Sequence, residues 1–397
     1  MHPKLVRVLT RLGAGGPPIH AVLLTREMKQ YGYQSILVAG RCADQDGDMS
    51  YLLGADDAVH WVEEMSRSIA PWQDIQALFR LYRYLRAERP SIVHTHTAKA
   101  GLLGRLAARL AGVPVVVHTF HGNVLNHYFC APVNWAIRSL ERFLAHFTDC
   151  ICVLSPQQAH EMTDRYHIAS REKVRIVPLG MDLEPFRTLD SPSHEGKLTV
   201  GWLGRLVAIK NVPLLLEVIR KTVRSTDLVQ FLVAGDGPEY APLASLAQEL
   251  GPARLRWLGW QQDIRPVIAQ CHLLMQTSRN EGTPVALIQG MAAGRPFLST
   301  PAGGVVDMTT GLPRREEGGC KWFDNAVLAT PRAESFVTAL CRLAEDREEL
   351  ARMGQAAAEY ANRRFTLEAL LDSMNGLYSE LLHKKASAIS LGYATSR

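Results

Sequence analysis

The chain has 397 residues, 47% of them hydrophobic and 21% charged, which is ordinary globular composition over a length that exceeds one hydrophobic core, so two domains are expected. A formal charge of +5 is too mild and too unpatterned for a nucleic-acid binder but suits an anionic small ligand. The longest apolar runs, 113–117 and 151–154, fall far short of the roughly 20 residues of a membrane-spanning helix.

Met1-His2-Pro3-Lys4 passes directly into a strand-like run over 5–10, leaving no room for the apolar core of a secretory signal, so a cytoplasmic location is expected. Gly13-Ala14-Gly15-Gly16 follows, and Pro17-Pro18 can open a helix whose amides could face a phosphate. The full G-x-G-x-x-G spacing is missing, and Arg41 stands where a nicotinamide enzyme would place an acidic residue, which disfavours that class. Asp44-Gln45-Asp46-Gly47-Asp48 imitates a calcium loop, but Met49 and Ala55 replace its glycine and glutamate, so a polar loop is expected. Arg80, Arg83 and Arg86 recur at helical spacing beside Leu78, Phe79, Tyr82 and Leu85; a solvated helix face is the expected reading, ahead of a lipid-contacting one.

Further β-branched runs at 35–39, 92–94, 114–118 and 150–154 alternate with helix-period segments, the pattern of a parallel sheet. His94, His96, His118 and His121 cluster at strand ends, where ligands bind in such folds. No carboxylate of ligand-like spacing accompanies them, so hydrogen bonding to sugar or phosphate is expected rather than metal binding. His121, beside Gly122, is the first choice. The seven cysteines are scattered, with no C-x-x-C pair, which argues against structural zinc or a disulfide framework.

After a polar stretch at 188–197 the pattern restarts with strands at 198–203, 229–234, 255–258, 273–276 and 296–299. The expected fold class is therefore α/β, two doubly wound Rossmann-like units, with ligands bound where strand ends face a cleft between them. The expected divisions are 1–187, 188–365, a helix at 366–385 crossing back to the first unit, and a fraying tail at 386–397. Gly204-Arg205 and Lys210-Asn211 flank a helix start, and cations there could stabilise charge growing on a departing diphosphate. Gly235-Asp236-Gly237-Pro238 reads equally as a strand-to-helix turn with Pro238 opening the helix and as a nucleotide-pocket wall. In Asn280-Glu281-Gly282-Thr283-Pro284, Thr283 can cap a helix that Pro284 begins, while Glu281 can accept hydrogen bonds from sugar hydroxyls.

Together, the run His94 to Gly101, the segment His118 to Gly122, Gly204-Arg205 with Lys210, and Glu281-Gly282-Thr283-Pro284 resemble the retaining family 4 (group 1) glycosyltransferases of GT-B architecture. The first-half motifs look most like members building bacterial surface polysaccharide or processing lipid-linked sugars. The resemblance implies that Arg205 and Lys210 hold the diphosphate, Glu281 the donor sugar, and His121 the sugar near the reacting centre. Gly15 and Gly16 would approach the donor phosphate and the acceptor. Gly204, Gly235, Gly237, Gly282, Thr283, Pro284, Val285 and Gln289 would line the donor site, and His96 and Lys99 would lie on the acceptor side. Gln289 stands where the family places a second glutamate on the ribose, and Gly319 to Asp324 also departs from the Pro- and Gly-rich loop of many relatives. The implied reaction moves a hexose or N-acetylhexosamine from a nucleotide-diphosphate sugar, a UDP-sugar by expectation, to an acceptor hydroxyl, with no metal, no further cofactor and no nucleic acid. Peripheral contact with the inner face of the plasma membrane is compatible with it. The competing readings are an isomerase similar to the UDP-N-acetylglucosamine 2-epimerases and a catalytically weak sugar-nucleotide-binding subunit.

Overall fold

The structure is a computed structural model, and it describes residues 2–13, 15–42, 47–66, 68–122, 131–193 and 196–394, with side chains through 387. Ala14, the expected polar loop at Asp44 to Asp46 and the last three residues of the expected tail lie outside the described residues. The chain divides into two compact units, one of Met1–Met181 with Leu367–Arg397 and one of Asp182–Thr366. The division falls before 188 because the turn Glu184–Arg187 packs on a helix of the second unit, where Arg295 also donates to the Asp190 carbonyl at 2.5 Å.

The first unit contains β1 Lys4–Arg11, β2 Gln34–Gly40, β3 Val59–Trp61, β4 Ile92–His96, β5 Val115–Phe120, β6 Cys150–Val153 and β7 Val174–Ile176. They form one parallel sheet in the order β3-β2-β1-β4-β5-β6-β7. Its helices are α1 Gly16–Glu27, α2 Pro71–Glu88, α3 Ala98–Ala111, α4 Ala131–Ala145 and α5 Pro156–His160. Both sheet faces are covered, which is why the central strands read as unbroken apolar runs. Val6, Val8, Val93 and Val116 pack against Leu81 and Leu85 of α2 and Leu103 of α3. On the other face Leu5, Ile92, Val115 and Val117 meet Leu370, Leu371, Met374 and Tyr378 from the C-terminal helix, so that helix belongs to the first unit.

The second unit contains β8 Leu198–Leu203, β9 Val229–Ala234, β10 Leu255–Trp257, β11 Leu273–Gln276, β12 Phe297–Ser299, β13 Arg315–Glu317, β14 Cys320–Trp322 and β15 Ala326–Ala329. The sheet order is β10-β9-β8-β11-β12-β15-β14-β13, with β14 antiparallel to both neighbours and the remaining pairs parallel. The helices are α6 Glu184–Arg187, α7 Val212–Ser225, α8 Ala241–Leu250, α9 Arg265–Ala269, α10 Val285–Ala292, α11 Ala333–Glu345 and α12 Arg347–Arg364. Trp202 and Trp322 are fully buried within one cluster that joins β8, β9, β14, α7 and α11. Each unit is thus a doubly wound Rossmann-like sheet.

One segment without an expected element gains one, and one expectation changes. The segment around Cys320 to Trp322 is a strand, its Cys320 and Trp322 buried and Lys321 exposed in the alternation of a hairpin. The C-terminal helix, α13 Leu367–Ala394, continues through the segment expected to fray. Lys384 to Ser387 and the residues that follow contain no Gly or Pro before Gly392, so nothing local stops the helix.

Candidate functional site

Strand order reverses between β1 and β4 in the first unit and between β8 and β11 in the second, and in open α/β sheets ligands bind outside the carboxyl ends of strands at such points. In the second unit, the turn after β8 carries Gly204, Arg205 and Lys210, and the segment after β11 carries Glu281. Lys210 Nζ meets Glu281 Oε1 at 2.6 Å. Gln276 Nε2, at the end of β11, donates to the same oxygen at 2.8 Å, and the Ser278 hydroxyl does so as well. Lys210 is itself fixed: its carbonyl accepts from Thr277 Oγ1 at 2.9 Å, and Asn211 after it takes a left-handed conformation. An ammonium and a carboxylate are therefore held at one switch point, each less than one-fifth exposed, where charges act more strongly than in bulk water.

The Glu281 segment is clasped from β12. A Cβ on Gly303, at φ +55°, would lie 2.0 Å from the Glu281 carbonyl oxygen, and Gly304 N donates to that carbonyl at 3.2 Å. Gly235 and Gly237 have a comparable reason to be glycine. Cβ atoms there would fall 1.8 Å from the Gly204 carbonyl oxygen and 2.5 Å from that of Leu206, so the turn after β9 packs directly on the one that carries Arg205. Pro238 opens a turn ahead of α8 rather than the helix itself, which starts at Ala241.

The expected cap is also corrected. Pro284 is the N-cap of α10 and the helix begins at Val285, with no side chain capping it. The Thr283 hydroxyl is buried without a partner. Pro284 sits at φ −72°, ψ 113°, an extended conformation that shifts the helix start one residue on. Gly282, Thr283 and Pro284 are buried, while Val285 and Gln289, four residues apart, share a half-buried face of α10.

In the first unit, Gly15 and Gly16 begin α1, but Pro17 and Pro18 supply no N–H, so two of the four first-turn donors a phosphate would use are missing. The histidines form a polar cluster at the carboxyl ends of β4 and β5, with His94, His96 and His118 buried and His121 half-buried. Arg7 Nη2 donates to the Tyr378 hydroxyl at 3.4 Å, and that hydroxyl lies 2.6 Å from His94 Nδ1, whose Nε2 lies 2.7 Å from Thr119 Oγ1. Because guanidinium only donates, the arrangement using every proton has Tyr378 donating to Nδ1 and His94 Nε2–H donating to Thr119. The His94 ring lies tilted by 33° against His96, with centroids 4.2 Å apart, and His96 Nδ1 lies 2.9 Å from His121 Nε2. His20 of α1 sits against both His96 and His121, with ring centroids 5.7 and 5.0 Å away. Burial pushes His20, His94, His96 and His118 well below the usual histidine range and His121 down to about 3. All five rings are therefore neutral at pH 7.

Thr97, directly after His96, holds φ at +70°, a strained conformation for a β-branched residue and of the kind that clusters at functional sites. Its hydroxyl bonds Thr10 at 2.7 Å. Lys99 is committed elsewhere, paired with Asp74 of α2 and donating to the Ser68 carbonyl. Sequence reasoning overlooked His20, Arg7, Tyr378, Gln276, Ser278 and the Gly303-Gly304 pair. Only the last carried a local signal, two glycines at a strand end.

Residues 14–185 match the model of Glycosyltransferase Family 4, and residues 197–346 match that of Glycosyl transferases group 1. The chain is 28% identical over 346 residues to the UDP-Gal:alpha-D-GlcNAc-diphosphoundecaprenol alpha-1,3-galactosyltransferase of Escherichia coli, covering 83% of this chain and 86% of that one. Among solved structures, Anabaena Alr3699/HepE in complex with UDP and glucose superposes with a TM-score of 0.74 at 18% identity, over 94% of this chain and 99% of that one. The apo lipopolysaccharide outer core galactosyltransferase WaaB gives 0.69 at 18% identity, over 95% and 99%. With both halves matched in order and the two-unit architecture in place, the chain belongs to the family 4, group 1 glycosyltransferases, enzymes that use a nucleotide-sugar donor.

Proposed function

We propose that the protein is a retaining, metal-independent transferase that moves a hexose or N-acetylhexosamine from a UDP-sugar to a hydroxyl of a sugar or lipid-linked sugar, in polysaccharide or glycolipid synthesis. The observation that carries this reading is the Lys210–Glu281 pair at 2.6 Å on the β8/β11 switch point. Breaking the bond between the anomeric carbon and the phosphate oxygen leaves an oxocarbenium-like sugar and a diphosphate gaining negative charge. Lys210 and Arg205 would neutralise that charge, the role a metal takes elsewhere, so the nucleotide sugar acts as co-substrate with no separate cofactor. Glu281 would hold the sugar hydroxyls. Three donors, one of them cationic, bond its Oε1 and make it a poor nucleophile. Retention would follow if the acceptor oxygen attacks on the leaving-group face while a phosphate oxygen takes its proton, giving the glycoside and free nucleoside diphosphate. His121 is assigned to the sugar and Gln289 to the ribose. The names of the E. coli relative, with its UDP-galactose and diphosphoundecaprenol-linked acceptor, and of the UDP-bound Anabaena structure support the choice of UDP and of a lipid-linked acceptor.

Replacing Lys210 by alanine should lower turnover at least about tenfold, and NMR of the product should show the donor's anomeric configuration kept. Near-normal turnover with every donor tested, or an inverted product, would overturn the assignment. Thermal shifts with UDP, GDP and ADP sugars identify the base, because the ligand that binds the folded state raises its midpoint.

Cytoplasmic placement with peripheral membrane contact is part of the same reading. Among the described residues no helix is long and apolar enough to cross a membrane. However, Trp72, Ile75 and Phe79 form an exposed stripe on α2 beside Arg80 and Arg83, and Trp135, Leu140 and Phe143 are exposed on α4. Both helices pack beside α3. An apolar stripe with adjacent cations suits the surface of an anionic lipid layer.

A further inference from the structure

His20 from α1, His96 from the end of β4 and His121 after β5 each offer a ring nitrogen, and the three atoms lie within 4.8 Å of one another. Two nitrogens in this group, His20 Nδ1 and His96 Nε2, are buried with no hydrogen-bond partner, although His20 is only 4% and His96 0% exposed. A buried ring nitrogen left unpaired is costly, so two of them on adjacent rings call for an occupant. We propose that His20, His96 and His121 bind a divalent transition-metal ion of the zinc class, with an open position for water.

Three imidazoles with a fourth position free make a known form of zinc site, and two nitrogens on tetrahedral zinc stand about 3.3 Å apart. His96 Nδ1 and His121 Nε2, 2.9 Å apart, share a hydrogen bond that an ion between them would replace, whereas the unpartnered His20 Nδ1 and His96 Nε2 have no bond to give up. The rings are neutral, which is the ligand form, and no proton need leave. No carboxylate joins the group among the described residues, which disfavours calcium, magnesium and manganese and favours Zn²⁺, Ni²⁺ or Cu²⁺. The buried Arg7 guanidinium, bonded to Ser35 and Tyr378, opposes a dication and sets the affinity below that of a carboxylate-balanced site. An ion here also occupies His121, so it would brake sugar transfer; that consequence rests on the donor-sugar role given to His121 above, whereas metal binding does not.

The test uses full-length protein stripped with a chelator and titrated with Zn²⁺ against a chromophoric competitor, with Co²⁺ as a spectroscopic stand-in. One equivalent should bind, and Co²⁺ should give the intense visible absorption of a tetrahedral site. Loss of outer-shell groups alone costs about 10- to 100-fold, so His20→Gln should weaken binding by at least about 100-fold. His160→Ala, at an exposed ring on α5, should leave it unchanged. Circular dichroism checks the fold, and His96→Gln replaces His20→Gln should the latter not fold. Absence of binding, or one equivalent that neither ligand variant weakens, meaning an adventitious ion only, overturns the proposal. Transfer is then assayed separately. Zinc that slows the wild type and is reversed by chelator supports the brake, while zinc that binds without slowing transfer leaves the metal site standing and removes His121 from the donor sugar.

Discussion

Gln289 lies one helical turn beyond Val285 on the half-buried face of α10. A carboxylate there would add charge assistance to a ribose hydrogen bond, worth on the order of 1 kcal/mol. Gln289→Glu should therefore lower the donor KM by about fivefold with kcat unchanged, and an unaltered KM would separate this residue from the ribose. The buried histidines make a second prediction. Folded His121 is held at about 3 and its four neighbours well below the usual range, whereas an unfolded histidine takes up a proton near pH 6.5. Below that pH the unfolded chain binds more protons than the folded one, so stability is complete above about pH 6.5 and declines as the pH falls toward 3. Each such proton contributes about 1.4 kcal/mol per pH unit. Urea unfolding at a series of pH values should show this slope, and replacing His118 by asparagine should shallow it.

Helix α13 places Tyr378 between Arg7 and His94, with the ring buried among Leu5, Val117 and Cys152. Tyr378→Phe keeps the packing but leaves His94 Nδ1 and Arg7 Nη2 unsatisfied, a cost of about 1–3 kcal/mol. The urea midpoint should fall with the m-value unchanged; a midpoint equal to wild type would show that both groups find other partners. This link was invisible in the sequence because it joins residues 94 and 378, and no local pattern encodes such a contact. The central strands were legible for the opposite reason, since β1, β4, β5, β8 and β9 are apolar runs that announce a sheet covered on both faces. β3, β7 and β13 have three residues each and are too short to show a period. In the site, Lys210 and Glu281 were readable from motif and position at strand ends. Gln276 and Ser278, which orient Glu281, look like ordinary strand-end residues until the chain turns back on them.

For the whole molecule, the exposed Trp72, Phe79, Trp135 and Phe143 should drive sedimentation with anionic vesicles. Changing Trp72 and Phe79 to glutamate should reduce the bound fraction at least about tenfold, given the apolar area and charge involved, while transfer to a water-soluble acceptor stays unchanged. Equal sedimentation of variant and wild type would remove these helices from any lipid contact. The return of α13 to the first unit has a different bearing, on synthesis. Leu5, Ile92, Val115 and Val117 are covered by residues from 370 onward, so this unit cannot close while it leaves the ribosome. At about 5–20 residues per second, it waits roughly 10–40 s for its last piece, with an oily strip bare throughout. Early translation stops should consequently yield an aggregating fragment and not a working half, and nascent-chain chaperones should dwell on the first unit until the second has been made.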